Sequence, residues 1–88
     1  MNRTKVATRY YGLYIFNGEY CIRSASNYLN AVEDLEDVAK QGAEPLGIYD
    51  LHDWRFDWKL RDSTRQQQYQ DRVLELTNSL RLKNGEAL

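Results

Sequence analysis

The sequence predicts a single α+β domain with the element order ββαββα, in which a four-stranded, mainly antiparallel sheet has one helix packed on a face and a long C-terminal helix. A two-residue turn signal, Asn17-Gly18, lies between two runs of aromatic and β-branched residues, and a second pair of short apolar runs follows later. Two stretches with apolar residues at helical spacing complete the pattern. The 88 residues suffice for one small core, and we expect a flexible N-terminus at 1–6 and a frayed C-terminus at 84–88.

The first two strands form a hairpin around Asn17-Gly18, because these residues tolerate the positive φ that both central positions of a type I′ turn require. The turn places Phe16 opposite Glu19 and thereby sets the register of the whole ribbon. One face pairs Ile15 with Tyr20, Leu13 with Ile22 and Tyr11 with Ser24, and the other pairs Tyr14 with Cys21 and Gly12 with Arg23.

The first helix is predicted from about Asn27 to Gln41. Side-chain oxygens at 24–27 can cap its N-terminus, and Gly42 stands where a glycine ends a helix. Its apolar stripe consists of Tyr28, Ala31, Val32, Leu35, Val38 and Ala39. Its outward arc carries an acidic band formed by Glu33, Asp34, Glu36 and Asp37. Such a band is usually a solvated face, but its negative field also suits an adaptor or inhibitor of a basic partner.

The runs Leu46 to Asp50 and Trp54 to Trp58 predict a second hairpin around a three-residue loop. The loop lacks glycine, so His52 or Asp53 must adopt the left-handed conformation. The predicted pairs are Ile48 with Phe56 and Leu46 with Trp58 on one face, and Tyr49 with Arg55 and Gly47 with Asp57 on the other. We favour this loop length because an even-numbered loop would mix apolar and charged residues on both faces.

A long polar helix is predicted from the capping residues at 62–64 to about Lys83, with Asn84-Gly85 as its end. It would span about 30 Å, whereas a strand of five or six residues covers about 17–20 Å, so one end should overhang the sheet. The candidate contacts with a second copy of the chain are Tyr69, Val73, Leu74, Leu76, Leu80 and Leu82. Leu74 and Leu82 face away from the apolar stripe, although scattered exposed leucines are also normal.

The strand order 2-1-3-4 is favoured, because it keeps every neighbouring pair antiparallel. The first helix is predicted to cover the face formed by Leu13, Ile15, Tyr20, Ile22, Leu46, Ile48, Phe56 and Trp58. The candidate binding residues of the opposite face are Tyr10, Tyr14, Phe16, Arg23, Tyr49 and Arg55, with Cys21 beside them. Rings beside guanidinium groups suit single-stranded nucleic acid, because bases stack on rings and Arg meets phosphate. The favoured alternative is that the second helix or a second protomer lies over this face.

Asp50, His52, Asp53 and Asp57 surround the second hairpin tip, and carboxylates with imidazole can hold a divalent metal or move protons. The predicted pairing places Asp50 and Asp57 on opposite faces, and aspartates beside a turn usually cap it. No nucleophile elbow or phosphate-binding glycine loop occurs in the sequence. We therefore expect no catalytic residue, no metal site and no cofactor.

The net charge, the cysteine content and the distribution of apolar residues exclude several classes of function. The net charge of −1 excludes the long-range positive field of a non-specific nucleic-acid binder. The single Cys21 cannot form an internal disulfide, and no continuous apolar stretch resembles an export signal or a membrane span, which predicts a cytoplasmic protein. The sequence thus predicts a small non-enzymatic interaction module that acts through protein–protein contacts as a homodimer. Single-stranded nucleic-acid binding and an acidic-helix adaptor are the alternatives.

Overall fold

A computed structural model describes residues 8–86 of the chain. Its elements are β1 (Tyr10–Phe16), β2 (Glu19–Ala25), α1 (Tyr28–Lys40), β3 (Glu44–Asp50), β4 (Arg55–Trp58) and α2 (Ser63–Glu86). The strands form one antiparallel sheet in the order β2-β1-β3-β4. The predicted fold class and the favoured strand order are confirmed. The predicted flexible segment 1–6 lies outside the described residues.

The hairpin of β1 and β2 has the predicted register, beginning with Phe16 opposite Glu19. Asn17 and Gly18 have φ values of 52° and 80°, the left-handed values that a type I′ turn requires. The turn joins two strands that are adjacent in sequence and thereby pairs β2 with β1. β2 is an edge strand of the sheet. β3 pairs with the other side of β1.

The ends of α1 are formed by the residues that the sequence predicts. The Asn27 side chain accepts a hydrogen bond from the backbone N–H of Asn30 at 2.8 Å, which caps the N-terminus. At the C-terminus, Gly42 has a φ of 98°, and the N–H groups of Gly42 and Ala43 each donate to a carbonyl of the last helical turns at 3.0 Å. These two bonds form a Schellman motif, which stops the helix and turns the chain toward β3.

The two helices cover opposite faces of the sheet, and the face that each covers is the reverse of the prediction. The cluster under α1 contains Ala25, Ala31, Leu35, Val38, Ala43 and Ile48, with Tyr10, Tyr14 and Val32 packed against it. The cluster under α2 contains Leu13, Leu46, Tyr49 and Val73, and the residues packed against it include Tyr11, Ile15, Tyr20, Phe56 and Trp58. Side-chain size explains the difference, because Leu35 comes within 3.2 Å of the place where Gly12 would carry a Cβ. Small residues let α1 lie close to the sheet, whereas the large rings face α2.

A bulge in β3 lies at Leu46. The pairing with β1 passes from Gly47 to Pro45 and leaves Leu46 without a partner on that strand. The extra residue shifts the alternation, so Leu46 packs under α2 while Ile48 packs under α1. The prediction that both residues share one face is therefore wrong, because strict alternation does not continue across a bulge.

The hairpin of β3 and β4 has a four-residue loop, and the predicted three-residue loop is wrong by one residue. Asp50 stands opposite Arg55, and the Asp50 carboxylate accepts backbone N–H bonds from His52 at 3.0 Å and Asp53 at 3.4 Å. The left-handed position is taken by Trp54, with a φ of 56°, instead of His52 or Asp53. The aspartate capping of the turn, which the sequence suggested, is present and organises the longer loop.

The shifted register rearranges the side chains of β4. Tyr49 and Phe56 now stand opposite each other, and Tyr49, Phe56 and Trp58 all belong to the α2 side. Asp57 stands opposite Ile48 and so shares the α1 side with Asp50, contrary to the prediction. Because helices cover both faces, an apolar side chain is accommodated on either one, and the apolar pattern alone does not select the register.

The apolar stripe of α2 packs on the sheet as predicted. Its buried or half-buried members are Tyr69, Val73, Leu76 and Leu80. The helix continues to Glu86, past the predicted end at Asn84-Gly85, because Gly85 stays helical; residues 87–88 lie outside the described part. At 24 residues it spans about 36 Å, more than the roughly 23 Å of a seven-residue strand. Within 8–86, no helix is long and apolar enough to cross a membrane.

Candidate functional site

The predicted aromatic binding face is not a bare surface, because α1 covers its centre. Tyr10 and Tyr14 pack against the cluster under α1, and Tyr49 lies on the opposite face with only 4% of its surface exposed. The remaining predicted residues, which are exposed, are Phe16, Arg23 and Arg55. The structure therefore does not bring the six residues together, and single-stranded nucleic acid would meet no continuous aromatic platform there.

The candidate contacts on α2 divide into two groups. Tyr69, Val73, Leu76 and Leu80 belong to the core under the helix. Leu74 and Leu82 are 57% and 63% exposed, as their predicted outward positions require. They are eight residues apart and so differ by about 80° around the helix, which gives two separate apolar spots and no continuous stripe.

A groove of about 460 Å³ lies between the first turn of α1 and the hairpin of β3 and β4. At its wall, the Tyr28 hydroxyl donates a hydrogen bond to the Asp57 carboxylate and accepts one from Lys59 Nζ at 2.6 Å. Lys59 Nζ also lies 3.1 Å from Asp57 Oδ2. These three residues form an ion network that ties α1 to β4 and to the segment after it.

A second ion network lies at the other end of the groove. The Arg9 guanidinium donates to both carboxylate oxygens of Asp50, at 2.9 and 3.0 Å, and lies 3.6 Å from Asp53. The same guanidinium stands 5.0 Å from the centre of the Tyr10 ring. Arg9 thus fastens the chain before β1 to the end of β3.

The contacts in the groove move the pKa values of two aspartates and one lysine further from 7. The hydrogen bond from Tyr28 lowers the pKa of Asp57, and hydrogen bonds with Tyr28 and Asp57 raise the pKa of Lys59. The hydrogen bond from Arg9 lowers the pKa of Asp50. A general acid or base that works near pH 7 has its pKa moved toward 7. The groove therefore has the electrostatics of a structural ion network, in which Asp50, Asp57 and Lys59 are held in their charged forms.

The predicted tip cluster does not converge on a metal-binding geometry. Asp50 caps the loop and binds Arg9, while His52 Nδ1 lies 3.0 Å from Asp53 Oδ1. Asp57 is bound by Tyr28 and Lys59 at the far end of the groove. Among the residues for which the structure gives positions, no group of three or more His, Cys, Asp or Glu side chains is arranged to hold a metal ion.

The acidic band of α1 is a mostly solvated helix face. Glu33, Glu36 and Asp37 are exposed. Asp34 is half-buried, and its carboxylate lies 4.0 Å from Arg23 Nε on β2. One of the four charges is therefore partly balanced within the molecule, which weakens the local negative field.

Trp54, which the sequence pattern predicts to begin β4, lies instead in the loop before that strand. It has a left-handed φ of 56°, an unusual conformation for a bulky side chain, and 65% of its surface is exposed. The Arg81 guanidinium of α2 stands 4.7 Å from the centre of its ring. The absence of glycine from the loop is the sequence signal for this strained residue, because one non-glycine residue of the loop must adopt a positive φ.

The two edge strands of the sheet, β2 and β4, differ in how accessible they are to another strand. β4 is a short edge of four residues with charged side chains at Arg55 and Asp57, features that discourage strand pairing. β2 is a longer edge of seven residues without proline or bulge, and within the described chain it pairs only with β1. Ile22 on this strand is 39% exposed. The β2 edge is thus the more accessible of the two for another strand.

The turn determines which backbone groups of β2 point outward. In a two-residue turn the carbonyl and N–H of Phe16 and Glu19 bond to each other, and inward and outward residues then alternate along the strand. The residues whose N–H and C=O groups point away from β1 are therefore Tyr20, Ile22 and Ser24. These groups form the open backbone edge of the sheet, which the sequence analysis did not single out.

Comparisons with known proteins add no relative. No protein-family model matches the chain, and no curated protein or solved structure matches it either.

Proposed function

We propose that this protein is a non-enzymatic interaction module that acts through protein–protein contacts and associates with a second copy of itself. The observation that carries the proposal is the open β2 edge, with outward backbone groups and the exposed side chain of Ile22. An uncovered, regular edge strand is a template for pairing with another strand. The two sheet faces offer no such opportunity, because a helix packs on each.

A second copy of the chain is the partner that this edge fits best. Identical strands can pair antiparallel about a two-fold axis, which closes the assembly at two copies and leaves no further edge of the same kind. The other edge, β4, is short and charged, so growth into a longer sheet is disfavoured. The edge therefore supports a closed homodimer.

Binding, and not catalysis, is supported by the electrostatics of the groove. The pKa values of Asp50 and Asp57 are lowered and that of Lys59 is raised, which keeps all three charged over the physiological range. A cytoplasmic, reducing setting also fits, because the half-buried thiol of Cys21 lies on the same strand and stays reduced there.

Self-association can be tested by size-exclusion chromatography with light scattering over a concentration series. We expect the mass to rise from the 10.4 kDa of one chain toward twice that value at high micromolar concentration. Ile22→Lys should shift the protein to the monomer, because it replaces the exposed apolar side chain of the edge with a charged one, and a lysine on an edge strand discourages pairing with another strand. Leu29→Lys is the matched control, because Leu29 is 64% exposed on α1, away from the edge, and this variant should still dimerise.

Two outcomes would contradict the proposal. A wild-type protein that stays monomeric at several hundred micromolar would exclude self-association as its mode of action. An equal loss of dimer in Leu29→Lys and Ile22→Lys would exclude the β2 edge as the contact. Circular dichroism melts of both variants show whether each remains folded.

A further inference from the structure

The geometry of the β2 edge points to one register for the dimer. We propose that two copies join their β2 strands antiparallel about a two-fold axis at Cys21, so that the two sheets continue as one sheet of eight strands. The inference rests on the proposed self-association and specifies its geometry. Because the axis is perpendicular to the sheet, both α1 helices lie on one face of the joined sheet and both α2 helices on the other.

Backbone geometry limits the choice of register. Opposite residues of an antiparallel pair direct their side chains to the same face, so the axis must pass through a residue position and not between two. Cys21 and Ile22 are the positions near the strand centre. With the axis at Cys21, the backbone N–H and C=O groups of Tyr20 form hydrogen bonds with those of the partner's Ile22. The two-fold axis repeats these bonds between Ile22 and the partner's Tyr20. Cys21 then faces its own copy in a pair without hydrogen bonds.

The side chains favour the axis at Cys21. On the α1 side, this register places Glu19 opposite the partner's Arg23 twice in each dimer, so opposite charges face each other. On the α2 side, it places the ring of Tyr20 opposite the partner's Ile22, also twice. Aromatic with β-branched and opposite-charge pairs are among the favourable cross-strand combinations. Arg23 is available for this contact, because its side chain is 50% exposed and its Nε atom lies as far as 4.0 Å from the Asp34 carboxylate.

The axis at Ile22 matches the side chains less well. It would place Arg23 opposite the partner's Cys21 and Glu19 opposite the partner's Ala25, so neither charge meets its opposite. It would form more backbone hydrogen bonds, but exposed backbone groups give up bonds to water when they pair, which leaves a small net gain. Side-chain matching therefore decides the register, as it does within sheets.

Oxidative cross-linking tests the register directly. A pair without hydrogen bonds has a Cα separation of about 4.5 Å, within the range that a disulfide spans. We expect mild oxidation with diamide to convert most of the dimer to a disulfide-linked species on a non-reducing gel. Each bond forms from two Cys21 thiols, which lose two electrons and two protons to diamide. The variant Cys21→Ser with Ser24→Cys keeps one thiol on the same edge, but its two thiols would be about 20 Å apart and should stay unlinked.

Charge reversal gives a second, independent test. Glu19→Arg and Arg23→Glu should each weaken self-association roughly three- to tenfold, because each turns two attractive pairs per dimer into repulsive ones. The double variant restores opposite charges in reversed order and should return to within about twofold of the wild type. Thermal unfolding of each variant separates a change in association from a change in folding.

The outcomes distinguish the register from the proposed function. Efficient linking of Cys21→Ser with Ile22→Cys, together with no linking of the wild type, would overturn the Cys21 axis in favour of Ile22 while self-association stands. Equal linking at Ser24→Cys would overturn any fixed register, as would a double charge variant as weak as the single ones. A chain that is monomeric at all concentrations would overturn the self-association itself.

Discussion

Gly47 lies where the ring of Phe56 crosses β3. A Cβ at this position would stand 2.6 Å from the ring and would also meet the backbone carbonyl of Asp57. The backbone of β4 cannot shift as easily as the end of a flexible side chain. A residue larger than glycine at position 47 would therefore displace β4. Gly12 presents the milder case on the other face, where the nearest atom is the end of the Leu35 side chain at 3.2 Å.

The substitution Gly47→Ala should therefore destabilise the fold by about 2–3 kcal/mol, as overpacking against fixed neighbours does. Gly12→Ala is the matched control and should cost about 1 kcal/mol or less, because Leu35 can shift by a few tenths of an ångström. Urea unfolding followed by circular dichroism measures both values. Equal losses at the two sites would show that the Phe56 ring does not lie against Gly47.

At the level of single elements, the two hairpins show what the sequence could predict and what it could not. The register of β1 and β2 was predictable, because Asn17-Gly18 admits one tight turn and both strands follow from it. The register of β3 and β4 was not, because no glycine marks the loop and the Asp50 carboxylate organises a longer one. The bulge at Leu46 has no local signal either, since its cause is the packing on the two faces.

The element contact between α1 and β4 predicts a response to acid. Hydrogen bonds from Tyr28 and Lys59 lower the pKa of Asp57 in the folded chain, so its charge adds stability above the unfolded value of about 3.9. That stability is lost as the pH falls through the lower, folded pKa. We expect the free energy of unfolding to decline as the pH falls below about 4, and Asp57→Asn to make the decline shallower.

Chemical denaturation at a series of pH values measures this slope. Asp37→Asn removes a carboxylate from the exposed arc of α1 without touching the network, and its curve should run parallel to the wild type. If Asp57→Asn also ran parallel, the contact with Tyr28 and Lys59 would contribute nothing to acid stability.

For the whole molecule, the sequence predicted the fold class and strand order but not which helix covers which face. Aliphatic residues were expected under α1, whereas Gly12 and the alanines allow α1 to approach and leave Leu13 and the rings to α2. Both faces are apolar at their centres. Alternation therefore shows which residues share a face, but it does not show which helix packs on that face. For the same reason the six candidate binding residues do not share one bare aromatic surface, because a helix packs on each face of the sheet.

Hydrogen exchange tests the joined sheet in the intact molecule. At low concentration the amides of Cys21 and Arg23, which point toward β1, should be protected, while those of Tyr20 and Ile22 should exchange rapidly. At concentrations that favour the dimer, Tyr20 and Ile22 should gain protection, whereas Ser24 should remain exchangeable. Amide exchange by NMR at two concentrations measures this pattern. Protection of Tyr20 and Ile22 that does not depend on concentration would contradict pairing between copies.

The unpaired residue in β3 determines what the loss of one residue at this point would change. Loss of the codon for Leu46 would restore strict alternation and leave Pro45 opposite Tyr14 and Glu44 opposite Ile15, on the faces they already occupy. Glu44 would then keep Arg65 and the Tyr69 hydroxyl, the groups that hold it beside the start of α2. A deletion of three nucleotides at this point would thus remove a fully buried side chain from under α2 without reversing the faces of the strand, while the same deletion in the exposed loop would only shorten a turn.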